Sequence, residues 1–263
     1  MTESPRHTPP VSAFAALHQA DEPLLLPNAW DYASARALAG QGFRAVATTS
    51  LGVSAAAGLP DAAAATREET LRLARALGSA PLLLSVDAEA GFGDDPDEVA
   101  EFARELYAVG VAGVNLEDGL GPAERLAAKI SAVKRTVPAL FVNARTDTHW
   151  LGDGDTADTL TRLDAYQRAG ADGVFVPGLT DPDRIAALVR HLDVPLNVLY
   201  SPTGPPVRQL ADAGARRISL GSLLYRRALG AAVEAAAGIR AGRTPGGATP
   251  SYDDVAGLLP PPA

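Results

Sequence analysis

The sequence predicts an α/β protein built as a (β/α)8 TIM barrel, and three observations carry that prediction. The chain has 263 residues, a length typical of one such barrel and long enough to bury a large core. Eight short apolar segments recur along it, each followed by an amphipathic helical pattern. Four links share one grammar of helix end, glycine and strand: "GQGFRAVATTS", "AVGVAGVNLED", "RAGADGVFVPG" and "DAGARRISLG". An open doubly wound sheet made of the same units is the competing architecture.

Residues 1–20 read as an N-terminal extension, and the opening "MTESPRHTPP" reads as disordered. The barrel is placed at 21–242 and a loosely held tail at 243–263. Its strands are drawn at Leu24–Pro27, Ala45–Thr48, Leu82–Val86, Gly113–Leu116, Leu140–Ala144, Gly173–Val176, Leu196–Leu199 and Arg217–Leu220. Gly42, Gly110, Gly170 and Gly214 stand where a helix C-terminus takes a left-handed residue. Helix starts are marked by Asp95-Pro96 with Glu98, by Thr66 with Glu69, and by Asp181-Pro182. Asp94, Asp95, Asp97 and Glu98 are thereby absorbed as cap and solvent residues.

Composition narrows the function. Hydrophobic residues make up 47% but aromatics only 5%, as expected of alanine-rich helices on Val/Leu strands. The net charge of −8 comes with no basic tract, which argues against nucleic acid as a partner. No apolar run reaches membrane-spanning length and no secretory signal is apparent, so the expectation is a cytoplasmic protein without membrane contact. There is no cysteine, which excludes disulfides, thiolate metal sites and a cysteine nucleophile.

The segment "LLLSVDAEAGFGDDPDE" carries the functional signal. A buried strand ends in Asp87 and Glu89, which capping does not explain. Residues two apart on a strand share a face. By that parity Asp87 with Glu89, Asn115 with Glu117, and Asn143 with Arg145 and Asp147 project alike from three neighbouring strand ends. In a parallel barrel those ends form the active face. Clustered carboxylates repel unless a cation sits among them, and oxygen ligands without thiol or histidine favour Mg2+ or Mn2+. Arg145 suits bidentate capture of a substrate carboxylate. Among the histidines, His149 follows "RTDT" near enough to reach the site but is read as structural or exposed, His191 stands at a helix end, and His7 and His18 are bystanders.

The stretches "PNAWDYASARALAGQGFRAVATTS", "GLPD", "SVDAEAGFGDDP", "GVNLEDG", "NARTD" and "GADGVFVPGL" resemble the isocitrate lyase/phosphoenolpyruvate mutase superfamily, in order from Pro27 to Gly221. The resemblance implies a barrel with a last helix swapped between subunits of a homodimer or homotetramer, here within "SLLYRRALGAAVEAAAGI". It implies Mg2+ (or Mn2+) held by Asp87, Glu89 and Glu117, with Asp61 close to it. It implies a small carboxylic-acid substrate bound by Arg145, Asn143, Thr49, Ser50 and Leu51, with Arg145, Asp61 and Ser50 in catalysis. One departure matters. The superfamily's lyases carry a lysine- and cysteine-bearing loop after the fourth strand; here "EDGLGPAERLAAKI" holds no cysteine or histidine, and no lysine before Lys129. The expectation is a Mg-dependent lyase acting on a small 2-oxo or 2-hydroxy acid through an enolate-type intermediate. A phosphonate or carboxyphosphonate mutase or hydrolase, or a non-catalytic ligand-binding barrel, are the alternatives.

Overall fold

The computed structural model describes residues 12–78 and 80–259. Nine parallel strands form one sheet: β1 (Leu24–Leu26), β2 (Asn28–Ala29), β3 (Ala45–Thr48), β4 (Leu83–Asp87), β5 (Val111–Glu117), β6 (Phe141–Arg145), β7 (Gly173–Val176), β8 (Leu196–Leu199) and β9 (Arg217–Ser219). The order is β1-β9-β8-β7-β6-β5-β4-β3-β2. Proline has no N–H to give a ladder, and Pro27 divides β1 from β2. The first half of that segment pairs with β9 and the second with β3. One segment therefore covers both edges, and the sheet closes into a barrel.

Helices alternate with the strands: α1 (Ala13–Leu17), α2 (Tyr32–Gly40), α3 (Ser50–Ala57), α4 (Arg67–Leu77), α5 (Pro96–Ala108), α6 (Ala123–Thr136), α7 (Thr156–Arg168), α8 (Pro182–His191), α9 (Val207–Asp212), α10 (Leu223–Arg240) and α11 (Tyr252–Ala256). The expected glycines at 42, 110, 170 and 214 all have positive φ. Asp95 and Asp181 cap α5 and α8, each with proline in the first turn. None of these helices is long and apolar enough to cross a membrane.

Two faces of the strands do different work. Outward residues such as Val46, Leu84, Val114, Val142, Val174 and Ile218 pack against Leu71, Phe102, Ile130 and Leu163 of the surrounding helices. Inward residues change character along the axis. At the N-terminal end Leu26, Ala45, Ala47 and Phe141 meet Phe14 and Leu17 of α1. Gly113 makes room there, because a Cβ would stand 2.7 Å from the Phe14 ring. Above this apolar plug the interior is polar: Asn143 donates to Asn115 at 2.9 Å, Arg217 to Asn115 at 3.2 Å, and Asn197 to Ser219 at 3.1 Å. Barrel interiors are ordinarily filled by branched apolar residues.

His18, expected to be a bystander, belongs to the plug. Its ring stacks on Phe141 at 4.3 Å and its Nδ1 meets the Phe14 carbonyl at 2.9 Å. Burial, with the Arg217 charge adding, lowers its pKa to about 3. So α1, drawn from sequence as part of the extension, closes the bottom of the barrel. Residues 1–11, where the disordered opening was expected, and 260–263 lie outside the described residues. The tail from 243 to 257 is exposed, with the short α11 capped by Ser251 and Asp254.

Candidate active site

The C-terminal ends of β3 to β6 meet at one mouth. Asp87 ends β4, and its N–H donates to Thr48 Oγ1 at 2.9 Å. Its carboxylate accepts the Ser50 N–H at 3.2 Å. Ser50 opens α3 after an extended Thr49 that makes no side-chain cap bond. The first amide of that helix therefore faces the carboxylate, at the favourable end of the helix dipole.

Glu89 arrives differently from the way parity suggests. The strand stops at Asp87, and Glu89 sits in the left-handed region at φ 49°. Its carbonyl accepts the Glu117 N–H at 2.9 Å. Its buried carboxylate accepts the Ala64 N–H at 3.0 Å and the Thr66 hydroxyl at 2.7 Å. Thr66 was expected to pair with Glu69 in a capping box; instead α4 starts without a side-chain cap bond, because the hydroxyl serves Glu89. Burial raises the Glu89 pKa against these two bonds, with repulsion from Asp61 and Asp87 adding.

Glu117 ends β5 opposite Arg145 at the end of β6, and the two form an ion pair at 2.7 Å. Arg145 also holds Asp147 through Nη2 at 2.6 Å and Nε at 2.7 Å. Burial pushes the Glu117 carboxyl above its usual range, Arg145 opposes that shift, and the charges of Asp87, Asp147 and Glu89 reinforce it. The site is therefore a partly desolvated group of negative side chains with one guanidinium among them. Five non-glycine residues with positive φ, namely Ala62, Ala64, Glu89, Phe92 and Leu120, lie at or beside this mouth. Strained backbone of this kind gathers at functional sites.

Two cavities open there. One of 150 Å3 is lined by Thr49, Ser50, Leu51, Asp61, Asp87 and Arg145, with Trp150 and Phe175 among the others. The other, of 490 Å3, is lined by Asp61, Glu89, Glu117, Lys129, Arg145 and Asp147, with Trp150 again at its wall. Ser50, Asp61, Arg145 and Trp150 belong to both. Asn143, expected at the substrate, lines neither cavity; it lies one layer down, bonded to Asn115. His149 also stands apart, in a 230 Å3 cavity with Arg184 and His191. Among the described residues, no three His, Cys, Asp or Glu side chains are grouped to hold a metal directly. Oxygen-only donors, mutual repulsion and the room between them fit an ion that keeps its waters and touches the protein sparingly, as Mg2+ does.

The short loop after β5 is pinned. The two glycines suggest movement, but Gly121 N–H reaches the Asp118 carbonyl at 2.7 Å and Arg162 donates to the Gly121 carbonyl at 2.7 Å. The Asp118 carboxylate accepts from Leu120 N–H at 3.0 Å, Asp147 N–H at 3.1 Å, Tyr166 hydroxyl at 2.7 Å and Arg162 at 3.1 Å. Such a loop holds a fixed wall; no side chain in Gly119–Pro122 can transfer a proton.

The sequence profile of the phosphoenolpyruvate phosphomutase family matches residues 14–240. The chain belongs to that family, within the isocitrate lyase/phosphoenolpyruvate mutase superfamily. An uncharacterised protein of Mycobacterium tuberculosis strain H37Rv is 44% identical over 237 residues, which are 88% of this chain and 90% of that protein. The 2-methylisocitrate lyase of Bacillus subtilis strain 168 is 33% identical over 70% of this chain and 64% of its own length. Among solved structures, oxaloacetate acetylhydrolase in complex with the product oxalate superposes with a TM-score of 0.82 at 25% identity, covering 93% of this chain and 92% of that one. The family thus spans mutase, lyase and hydrolase names on one fold.

Three residues of this family member escaped sequence reasoning. Asp118 holds the loop, Arg217 is fully buried under Asp87, and Lys129 reaches the larger cavity. Burial lowers the Arg217 pKa to about 9, while Asp87 opposes that shift. A signal for Lys129 was present: it stands among Leu126, Ile130 and Val133 at helical spacing, on the buried stripe of α6.

Proposed function

We propose that this chain is a Mg2+- (or Mn2+-) dependent lyase that acts on a small 2-oxo or 2-hydroxy carboxylic acid, by C–C cleavage or decarboxylation through an enolate-type intermediate. The observation that carries the reading is the placement of Asp87, Glu89 and Glu117 around two joined cavities that also hold Arg145. Asp87, Glu89 and Glu117 would hold the ion largely through water, and the ion would supply Lewis-acid polarisation of the oxo or hydroxy oxygen. Arg145 keeps part of its donor fork free after Glu117 and Asp147, and that part binds the substrate carboxylate. Thr49, Ser50 and Leu51 line the same cavity. With the Thr49 N–H given to the Ala29 carbonyl and the Ser50 N–H to Asp87, the Leu51 amide and the Thr49 and Ser50 hydroxyls are the donors offered to charge that develops on oxygen. Asp61, exposed at the rim of both cavities, is positioned to take or return a proton through water.

The family name makes phosphonate or carboxyphosphonate chemistry the second outcome to test. A homodimer or homotetramer is part of the reading. It is supported by α10, whose Leu229, Val233 and Ile239 are each more than half exposed on an alanine-rich helix. The test is a panel of 2-oxo acids, malates and phosphonopyruvate with Mg2+ or with chelator, read by pyruvate, carbon dioxide and phosphate release. Metal-dependent release of pyruvate or carbon dioxide from the 2-oxo acids or malates supports the lyase. Phosphate released together with pyruvate from phosphonopyruvate alone replaces it with C–P hydrolysis, and turnover indifferent to chelator contradicts it.

A further inference from the structure

We propose that Lys129 is a positioning residue for this site: it fixes the loop that carries Glu89 to the helix that follows Glu117. The proposal builds on the reading of Asp87, Glu89 and Glu117 as the ion site. Lys129 is 7% exposed, and it is the one charged side chain among the buried residues of α6. Burying an ammonium is costly unless it is paired or hydrogen-bonded. Its Nζ donates to the Ala90 carbonyl at 2.9 Å, so one of its three N–H groups ties the backbone directly after Glu89.

That backbone needs holding. Glu89, Gly91 and Phe92 all have positive φ, at 49°, 95° and 59°. The Gly91 N–H turns back to the Ala88 carbonyl at 2.7 Å. Outside the barrel, Val99 of α5 lies so close that a Cβ on Gly91 would stand 2.6 Å from its Cγ1, and the Phe92 ring meets Phe102 at 5.1 Å. The Glu89 carboxylate is tied to Ala64 and Thr66 on the other side. From the side of α6, Lys129 holds the Ala90 carbonyl. Because α6 follows β5, whose end carries Glu117, the same contact sets the spacing of Glu89 and Glu117. Non-glycine residues in the left-handed region persist only when their surroundings over-determine them. Removing one tie frees the loop to relax.

The experiment compares wild type, K129M, K129R and D87A by amide hydrogen exchange and by calorimetric Mg2+ titration. In K129M, exchange at Gly91 and Glu117 is expected to rise at least tenfold, roughly the effect of losing a protected bond of this kind. Strand amides such as Val114 and Val142 keep wild-type protection, which shows an intact fold. Mg2+ affinity should fall roughly 10–100-fold, the usual cost of removing a group that orients a ligand. K129R, whose guanidinium can donate to the same carbonyl but cannot release a proton at neutral pH, should restore both. Unchanged exchange at Gly91 and Glu117 in K129M overturns the proposal. So does a K129R that regains loop protection yet binds Mg2+ as weakly as K129M, since Lys129 would then act on the ion site otherwise than through the loop. If K129M does not fold, K129R and K129Q carry the comparison, with K129Q expected to show the loop opening. The ion reading fails separately if D87A binds Mg2+ as wild type does, and loop exchange still decides the role of Lys129.

Discussion

Replacing Asp118 with Asn tests how the short loop is held. The side chain is fully buried, and its two oxygens face two donors each: Leu120 and Asp147 N–H on one, Tyr166 hydroxyl and Arg162 on the other. Asn keeps the shape, loses the charge, and turns one oxygen into an NH2 group. Whichever way the amide settles, one pair of donors then faces a donor. Breaking a buried ion pair by changing one partner costs about 3–5 kcal/mol. Arg162 keeps Asp158 at 2.9 Å and the Gly121 carbonyl at 2.7 Å, which places D118N at the lower end, about 3 kcal/mol. That is a large share of the roughly 5–15 kcal/mol that keeps a domain folded. Urea unfolding should show the midpoint fall with an unchanged slope, and exchange at Gly121 should rise. A loss below about 1 kcal/mol, the scale of an ordinary hydrogen bond, with Gly121 still protected, would refute the view that Asp118 fixes this loop.

Three further expectations follow from the geometry. His18 stays neutral in the fold down to about pH 3, whereas the unfolded chain takes up that proton near 6.5. Its contribution is therefore whole above pH 6.5 and is lost as pH falls toward 3. At pH 4 wild type should have lost about 3 kcal/mol more than H18Q relative to pH 7; equal acid limbs in urea melts would contradict this. Thr66→Val removes the hydroxyl from Glu89 and should weaken Mg2+ binding by roughly tenfold with only a small change in melting temperature; calorimetry showing wild-type affinity would count against the Glu89 assignment. Isocitrate and methylisocitrate should be poor substrates, because a missing general acid–base group costs roughly 10²–10⁴-fold. Efficient Mg2+-dependent release of glyoxylate or pyruvate from them would show that another residue replaces the loop.

Sequence pattern located the strands well because each is a short run with apolar residues on the face turned to the helices, bounded by helical periodicity. Ala45–Thr48, Gly173–Val176 and Leu196–Leu199 coincide with β3, β7 and β8 residue for residue. The pairing of Asp87, Glu117 and Arg145 was legible for the same reason, since strand-end parity is local information. Glu89 reached the site by a left-handed turn that parity does not describe. What pattern could not show depends on contacts far apart in sequence. Thr66 serves Glu89 across 23 residues, Lys129 reaches Ala90 across 39, and Arg217 meets Asn115 across 102. A partial clue existed in β9, where Arg217 and Ser219 flank Ile218: polar residues on the inner face of a central strand announce a polar interior. Asn143 shows the opposite error. It has the parity of Arg145 but sits a layer too deep to line the mouth.

The central claim is that the strand-end carboxylates form one divalent-ion site. Calorimetric titration of Mg2+ into wild type and D87A tests it most directly. The account predicts saturable binding at one site in wild type and none in D87A, with both proteins melting cooperatively, because like charges clustered together stabilise the fold little. Equal Mg2+ affinity in the two proteins would contradict it.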